Sequence, residues 1–141
     1  MAEVQFKGLD KIIAKLDKMQ DTSTIVYAMQ DACDLVEGAA KDKAPKDTGA
    51  LKRSITNRIE VMGNEVSGIV FTPLEYAPYI EYGTGIYAEN GNGRQTPWVY
   101  RDDNGKYHYT HGQHPQPFMR PALKENAQNI KKKLKEGIMS D

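Results

Sequence analysis

Three histidines, His108, His111 and His114, fall within one short stretch of the chain, and imidazole is among the commonest zinc ligands. On a helix, a spacing of three would gather them on one side. The stretch Tyr107 to Pro117, however, contains Gly112, Pro115 and Pro117, which oppose a helix. In a strand, His108 and His111 would face opposite sides. Exposed or interfacial histidines are therefore expected, and a small metal-binding enzyme using His108, His111 and His114 with Asp102 is the alternative. Asp102 and Asp103 fall in a turn sequence, where carboxylates serve the backbone. No GxSxG, HExxH, GxxxxGKS/T or GxGxxG pattern occurs. Gly83-Thr84-Gly85 and Gly91-Asn92-Gly93 precede no helix that could cradle a phosphate, so loop flexibility is the expected role of these glycines. The single cysteine, Cys33, falls on an apolar helical stripe and is expected to be a buried small side chain. No catalytic residue, metal or cofactor is expected.

The aromatic residues carry more information. Tyr76, Tyr79, Tyr82, Tyr87, Trp98, Tyr100, Tyr107, Tyr109 and Phe118 are nine of the twelve in the chain and lie between residues 76 and 118. Tyr and Trp bury large area with few rotamers and keep a polar handle, so they concentrate at protein interfaces. Within that window, WVYRDDNGKYHYTH sets Asn104-Gly105 between two aromatic-rich alternating arms, a strong hairpin signal. A hairpin projecting from the core, bearing Trp98, Tyr100, Tyr107 and Tyr109 with Tyr87 before it, is the expected partner-binding surface.

Composition bounds what can position these residues. The 141 residues are 39% hydrophobic and 27% charged, as in an ordinary globular domain, and one domain spanning 1–141 is expected, with a long loop and hairpin excursion at 83–117. That excursion holds six of the twelve glycines, all three histidines and three of the seven prolines. No apolar run long enough for a membrane span or a secretory signal occurs, and one cysteine cannot form an internal disulfide, which fits a reducing cytoplasm. Nineteen basic residues balance nineteen acidic ones, which removes the usual signature of a nucleic-acid binder. The balance is uneven along the chain: residues 61–119 carry three basic against six acidic side chains, and residues 120–141 carry six against three. Such asymmetry favours head-to-tail association. The lysine run Lys131 to Lys135 reads as a solvated helix face, so sequence-specific nucleic-acid binding is not expected.

Leu9, Ile12, Ile13, Leu16 and Met19 recur at helical spacing, which predicts a first amphipathic helix over 9–20. Asp21, Thr22, Ser23 and Thr24 offer N-cap oxygens for a longer helix carrying Ile25, Val26, Met29, Ala32, Cys33, Val36 and Ala40, which Pro45 stops near Lys43. Between Ile55 and Thr72 the pattern changes to alternation, broken by Gly63-Asn64, and predicts a β-hairpin. Residues 76–82 read as a short helical turn closed by Gly83. A last helix is expected from Pro121, with Leu123, Ala127, Ile130, Leu134 and Ile138 inward. The fold class is α+β: a small antiparallel sheet packed against long N-terminal and C-terminal helices, with a projecting hairpin.

Three segments, APKDTGALKRSI (44–55), YAPYIEYGTG (76–85) and HPQPFMRPAL (114–123), behind a GLDKIIAKL opening, resemble the tail-component or tail-completion (neck) family of lambdoid-type tailed phages, the gene-product-ten type. The residues that carry the resemblance are Pro45, Asp47, Thr48, Gly49, Leu51, Arg53, Tyr79, Glu81, Gly83, Thr84, Pro117, Phe118, Arg120 and Pro121, expected to be mainly structural. Asp47 or Thr48 could cap a short helix delivering Leu51 and Ile55 to the core, and Glu81 could pair with Arg53 or Arg120. The segment Ile86 to Gln113 is longer and more aromatic than the family's minimal loop. The resemblance implies a non-enzymatic virion protein at the head–tail junction. It would form a ring of identical subunits, contact head-completion and tail-tube or tail-terminator proteins, and be assembled in the host cytoplasm without a membrane.

Overall fold

The computed structural model describes residues 3–7, 11–15, 22–45, 49–91, 93–102 and 104–139. They form two compact units, one from Met1–Pro73 with Phe118–Asp141 and one from Leu74–Pro117.

The first unit contains a four-stranded antiparallel sheet of order β1-β2-β4-β3, from β1 (Glu3–Lys7), β2 (Lys11–Lys15), β3 (Thr56–Met62) and β4 (Glu65–Phe71). The expected hairpin over 55–72 is present, and Gly63 turns it with φ +59°. The expected helix over 9–20 is not. Residues 11–15 form β2, and residues 9, 10 and 16–20 lie outside the described residues. Ile12, Ile13 and Ala14 are all buried, because β2 sits inside the sheet with both faces covered. A short apolar run of this kind fits either period, and its two adjacent β-branched isoleucines favour the strand.

Helix α1 (Thr22–Lys43) lies on the sheet and ends where Pro45 requires, its last turn closed by the Ala44 N–H donating to the Ala40 carbonyl at 2.9 Å. Ile25, Met29, Ala32, Cys33, Val36 and Ala40 are buried, as their spacing predicts. Register places Ile12, Ala14, Val66 and Gly68 on one sheet face, and that face meets α1. At Gly68 a β-carbon would run into the Cys33 sulfur and come within 2.8 Å of the Met29 sulfur, so this glycine lets the helix seat on β4. A polar cluster closes the margin. The Asn57 amide donates to Asp34 and Glu37 of α1 at 3.1 Å each, and accepts from Gln30 at 2.9 Å.

Helix α2 (Ala50–Ser54) delivers Leu51, and Ile55 behind it, to the core. Its cap is Gly49 at φ +73° rather than a side chain, and Asp47 and Thr48 lie outside the described residues. The last helix, α4 (Met119–Met139), starts two residues earlier than expected, with Pro121 inside its first turn, where no intrahelical N–H bond is forfeited. It runs antiparallel along α1. Lys43 pairs with Glu125 at 2.7 Å at one end, and Gly137 lies against Ala28 at the other. Ile130 and Leu134 are fully buried, while Lys132, Lys133 and Lys135 face solvent and Lys131 lies over the Phe6 ring at 5.5 Å.

The second unit contains α3 (Ala77–Tyr82), a single 3₁₀ turn at Gly85–Tyr87 and the hairpin of β5 (Trp98–Arg101) and β6 (Tyr107–Thr110). Gly83 ends α3 at φ +83°, its N–H returning to the Tyr79 carbonyl at 2.9 Å, as the sequence implies.

Candidate functional site

Gly83, Gly85, Gly93 and Gly112 are fixed points rather than flexible links, which corrects the sequence expectation for the first three; a β-carbon at Gly91 would meet nothing within 4 Å. Gly85 has φ +61° and a β-carbon there would strike the His111 carbonyl oxygen; at Gly93 it would strike the Gly85 carbonyl, and at Gly112 the Thr84 carbonyl. Three backbone segments therefore cross where side chains are forbidden. Hydrogen bonds hold the crossing: Thr84 N–H to the Gln113 carbonyl at 2.9 Å, Gln113 N–H to Thr84 Oγ1 at 2.9 Å, and Gln116 N–H to the Ile80 carbonyl at 2.8 Å.

On this base the hairpin pairs Trp98 with Thr110, Val99 with Tyr109, Tyr100 with His108 and Arg101 with Tyr107. Opposite residues share a face. Val99, Arg101, Tyr107 and Tyr109 thus form one face, with Val99 60%, Tyr107 68% and Tyr109 67% exposed. Arg101 reaches over the Tyr107 ring at 5.9 Å. Trp98, Tyr100, His108 and Thr110 form the other, more covered face, where Tyr100 stacks on His108 at 5.1 Å. The five expected contact residues are consequently divided. Tyr107 and Tyr109 share the open face with Val99, which sequence reasoning passed over. Trp98 and Tyr100 lie on the reverse, and Tyr87 is half-buried with its ring 3.8 Å from that of His114. Alternation across the strands could have shown the division.

The tip is held by one carboxylate. Asp102 Oδ1 accepts the N–H groups of Asn104 at 3.0 Å and Lys106 at 2.8 Å, and Oδ2 meets His108 Nε2 at 2.7 Å. Gly105, at φ +82°, completes the turn with its N–H on the Asp102 carbonyl at 3.0 Å. The His108 contact, followed by the two backbone donors, holds the Asp102 carboxyl below the usual aspartate range. Asp103 lies outside the described residues.

The three histidines do not converge. His108 pairs with Asp102, His111 stands edge-on to Tyr109 at 5.4 Å, and His114 lies on Tyr87. Among the described residues no group of three metal-ligating side chains forms. Cys33 is wholly buried beneath the sheet; burial, reinforced by Asp34 and Glu37, pushes its thiol up to about 12, so it is no nucleophile.

Of the remaining residues singled out by sequence, Leu51, Gly83, Glu81 and Phe118 are buried, Thr84, Gly49, Pro45, Arg120 and Pro121 are half-buried, and Tyr79, Arg53 and Pro117 are exposed. Tyr79, Tyr82, Trp98 and Arg94 line a groove of about 570 Å³ within the second unit, where Arg94 stands over Trp98 at 5.6 Å. Tyr79, 60% exposed, therefore offers contact area as well as shape.

The second unit thus sets exposed rings on a base of close backbone crossings, and among the described residues no hydroxyl or thiol is bonded to the Asp102–His108 pair. Among known families, the one described as "Bacteriophage HK97-gp10, putative tail-component" matches residues 10–83, just over half of the chain. The chain belongs to this family and is a phage tail-related structural component. The match covers APKDTGALKRSI and most of YAPYIEYGTG, and ends before HPQPFMRPAL, β5, β6 and α4. No curated protein and no solved structure matches the chain. No helix among the described residues is long and apolar enough to cross a membrane.

Proposed function

We propose that this protein is a non-enzymatic component of virion morphogenesis that completes the tail at its junction with the head, as a ring of identical subunits. The open hairpin face of Val99, Tyr107 and Tyr109 carries this reading. Rings two-thirds exposed on a short, tightly turned hairpin are costly to leave in water and suited to cover by another polypeptide. The neighbour it meets is a head-completion, tail-tube or tail-terminator protein, and assembly takes place in the host cytoplasm without a membrane. The family supplies the tail context; the hairpin, outside the matched residues, supplies the specificity of this chain.

Replacing residues 98–109 by a short Gly-Ser link tests the contact. The variant is expected to fold, as judged by helical circular dichroism, yet to leave heads and tails separate in electron micrographs of an induced lysate. Joined particles at the wild-type level would refute the hairpin's role. Sedimentation of the purified wild-type protein tests the ring: a single discrete multimer is expected, and a monomer at every concentration, with neighbouring tail proteins present, would refute it.

A further inference from the structure

The outward face of α1 carries Asp31, Asp34, Gly38 and Asp42, spaced three, seven and eleven residues along the helix from the first, so they fall in one stripe. All four are exposed, and Tyr27, 76% exposed, stands at the stripe's N-terminal end. A β-carbon at Gly38 would meet nothing within 4 Å, so another backbone can approach there. The outward face of α4 carries Lys124, Lys132 and Lys135, also exposed and also within one stripe. Among the described residues none of these three lysines, nor Asp31 or Asp42, pairs with an opposite charge; Asp34 bonds only the amides of Gln30 and Asn57. One unit thus presents an anionic helix face and a cationic one.

The two stripes match in register. Laid antiparallel, Asp31 stands level with Lys135, Asp34 with Lys132 and Asp42 with Lys124, because each pair of numbers sums to the same value; the span is eleven residues on either helix, roughly 16 Å at the α-helical rise. Laid parallel, matching the ends sets Asp34 against Ala127. From this we infer that α1 of one copy of this chain docks antiparallel on α4 of the next, with the three aspartates on the three lysines and Tyr27 as the apolar anchor. Donor and acceptor surfaces differ, so the contact is heterologous and repeats from copy to copy until it closes. This gives the proposed ring its subunit contact and rests on that reading. It gives the head-to-tail association that the charge asymmetry favours an acidic partner in α1, outside the acidic stretch of residues 61–119.

Charge exchange tests the contact in the full-length protein. One variant carries Asp31→Lys with Asp42→Lys, the other Lys124→Asp with Lys135→Asp. Each alone opposes like charges and should lose association roughly tenfold or more in sedimentation velocity. Mixed in equal amounts the two restore opposite charges wherever unlike copies meet, so the mixture should recover association that neither variant shows alone. Both variants are checked for wild-type circular dichroism. A third, Asp31→Cys with Lys135→Cys, should give a ladder of covalent multimers under mild oxidation, reversed by reductant. If the wild type assembles and the charge variants assemble equally well, or the ladder is absent, the ring stands on another surface and this contact is wrong. If the wild type does not assemble, the ring reading itself has failed. If the variant with Lys124→Asp and Lys135→Asp loses salt-sensitive binding to a duplex DNA of arbitrary sequence while assembling normally, the α4 face serves nucleic acid and the inference is overturned.

Discussion

Single atoms decide how α1 meets the sheet. Gly68 gives up its side chain to the sulfurs of Cys33 and Met29. A methyl group there forces the helix away from β4, and Gly68→Ala is expected to lower stability by about 1–3 kcal/mol in denaturant unfolding; an unchanged midpoint would contradict the seating. Cys33 makes a second test. Its raised thiol and complete burial predict that alkylation at pH 8 waits on unfolding, fast in denaturant and negligible without it. At the hairpin tip the direction of titration is fixed by Asp102, whose carboxyl is held below its ordinary value chiefly by His108. A depressed folded-state value means that the turn's stability is present above the unfolded aspartate pKa of about 3.9 and is lost as pH falls through the lower folded value. Amide resonances of Asn104 and Lys106 should accordingly keep their folded shifts to a lower pH than an ordinary aspartate would allow; a transition at the ordinary aspartate pH would show that the carboxylate does not hold the turn.

At the scale of elements, legibility followed the strength of the local signal. Both hairpins were visible because Gly63-Asn64 and Asn104-Gly105 interrupt clean alternation, and α1 because Pro45 and a long apolar stripe bound it. The strand β2 was hidden: five residues, KIIAK, with three consecutive buried side chains, carry no period of their own, and only pairing to β1 and β4 makes them a strand. The capping role of Gly49 was likewise obscured by the better cap formers beside it. Gly83, Gly85 and Gly93 were misread because a close approach of backbones distant in sequence leaves no local trace. Gly85→Ala tests that crossing. It imposes a positive φ on an L-residue and drives a methyl into the His111 carbonyl, so limited proteolysis between residues 84 and 113 should become much faster. Equal cleavage rates would return these glycines to the role of plain linkers.

For the whole molecule, the candidate site was legible as a composition and not as a geometry. Nine aromatics fall in one window of sequence, but which rings face outward depends on the pairing of β5 with β6 and on stacking partners such as His108 and His114. The division into two units also separates what substitutions can affect. Gly85→Ala should disturb the second unit while leaving the far-ultraviolet dichroism of α1 and α4 unchanged, and a concerted loss of both would mean that the units fold as one.

The first unit is assembled from two stretches of chain, and its last helix is made long after its first. Between the end of α1 at Lys43 and the end of α4 at Met139 a translating ribosome must add the whole of the aromatic unit, a delay of roughly 5 to 20 seconds at ordinary elongation rates. Throughout that interval the apolar flank of α1 that Ile130 and Leu134 later cover has no lid, whereas the contiguous segment from Leu74 to Pro117 can close on itself as soon as it emerges. Synthesis therefore completes the chain of the second unit before it completes the helix that closes the first.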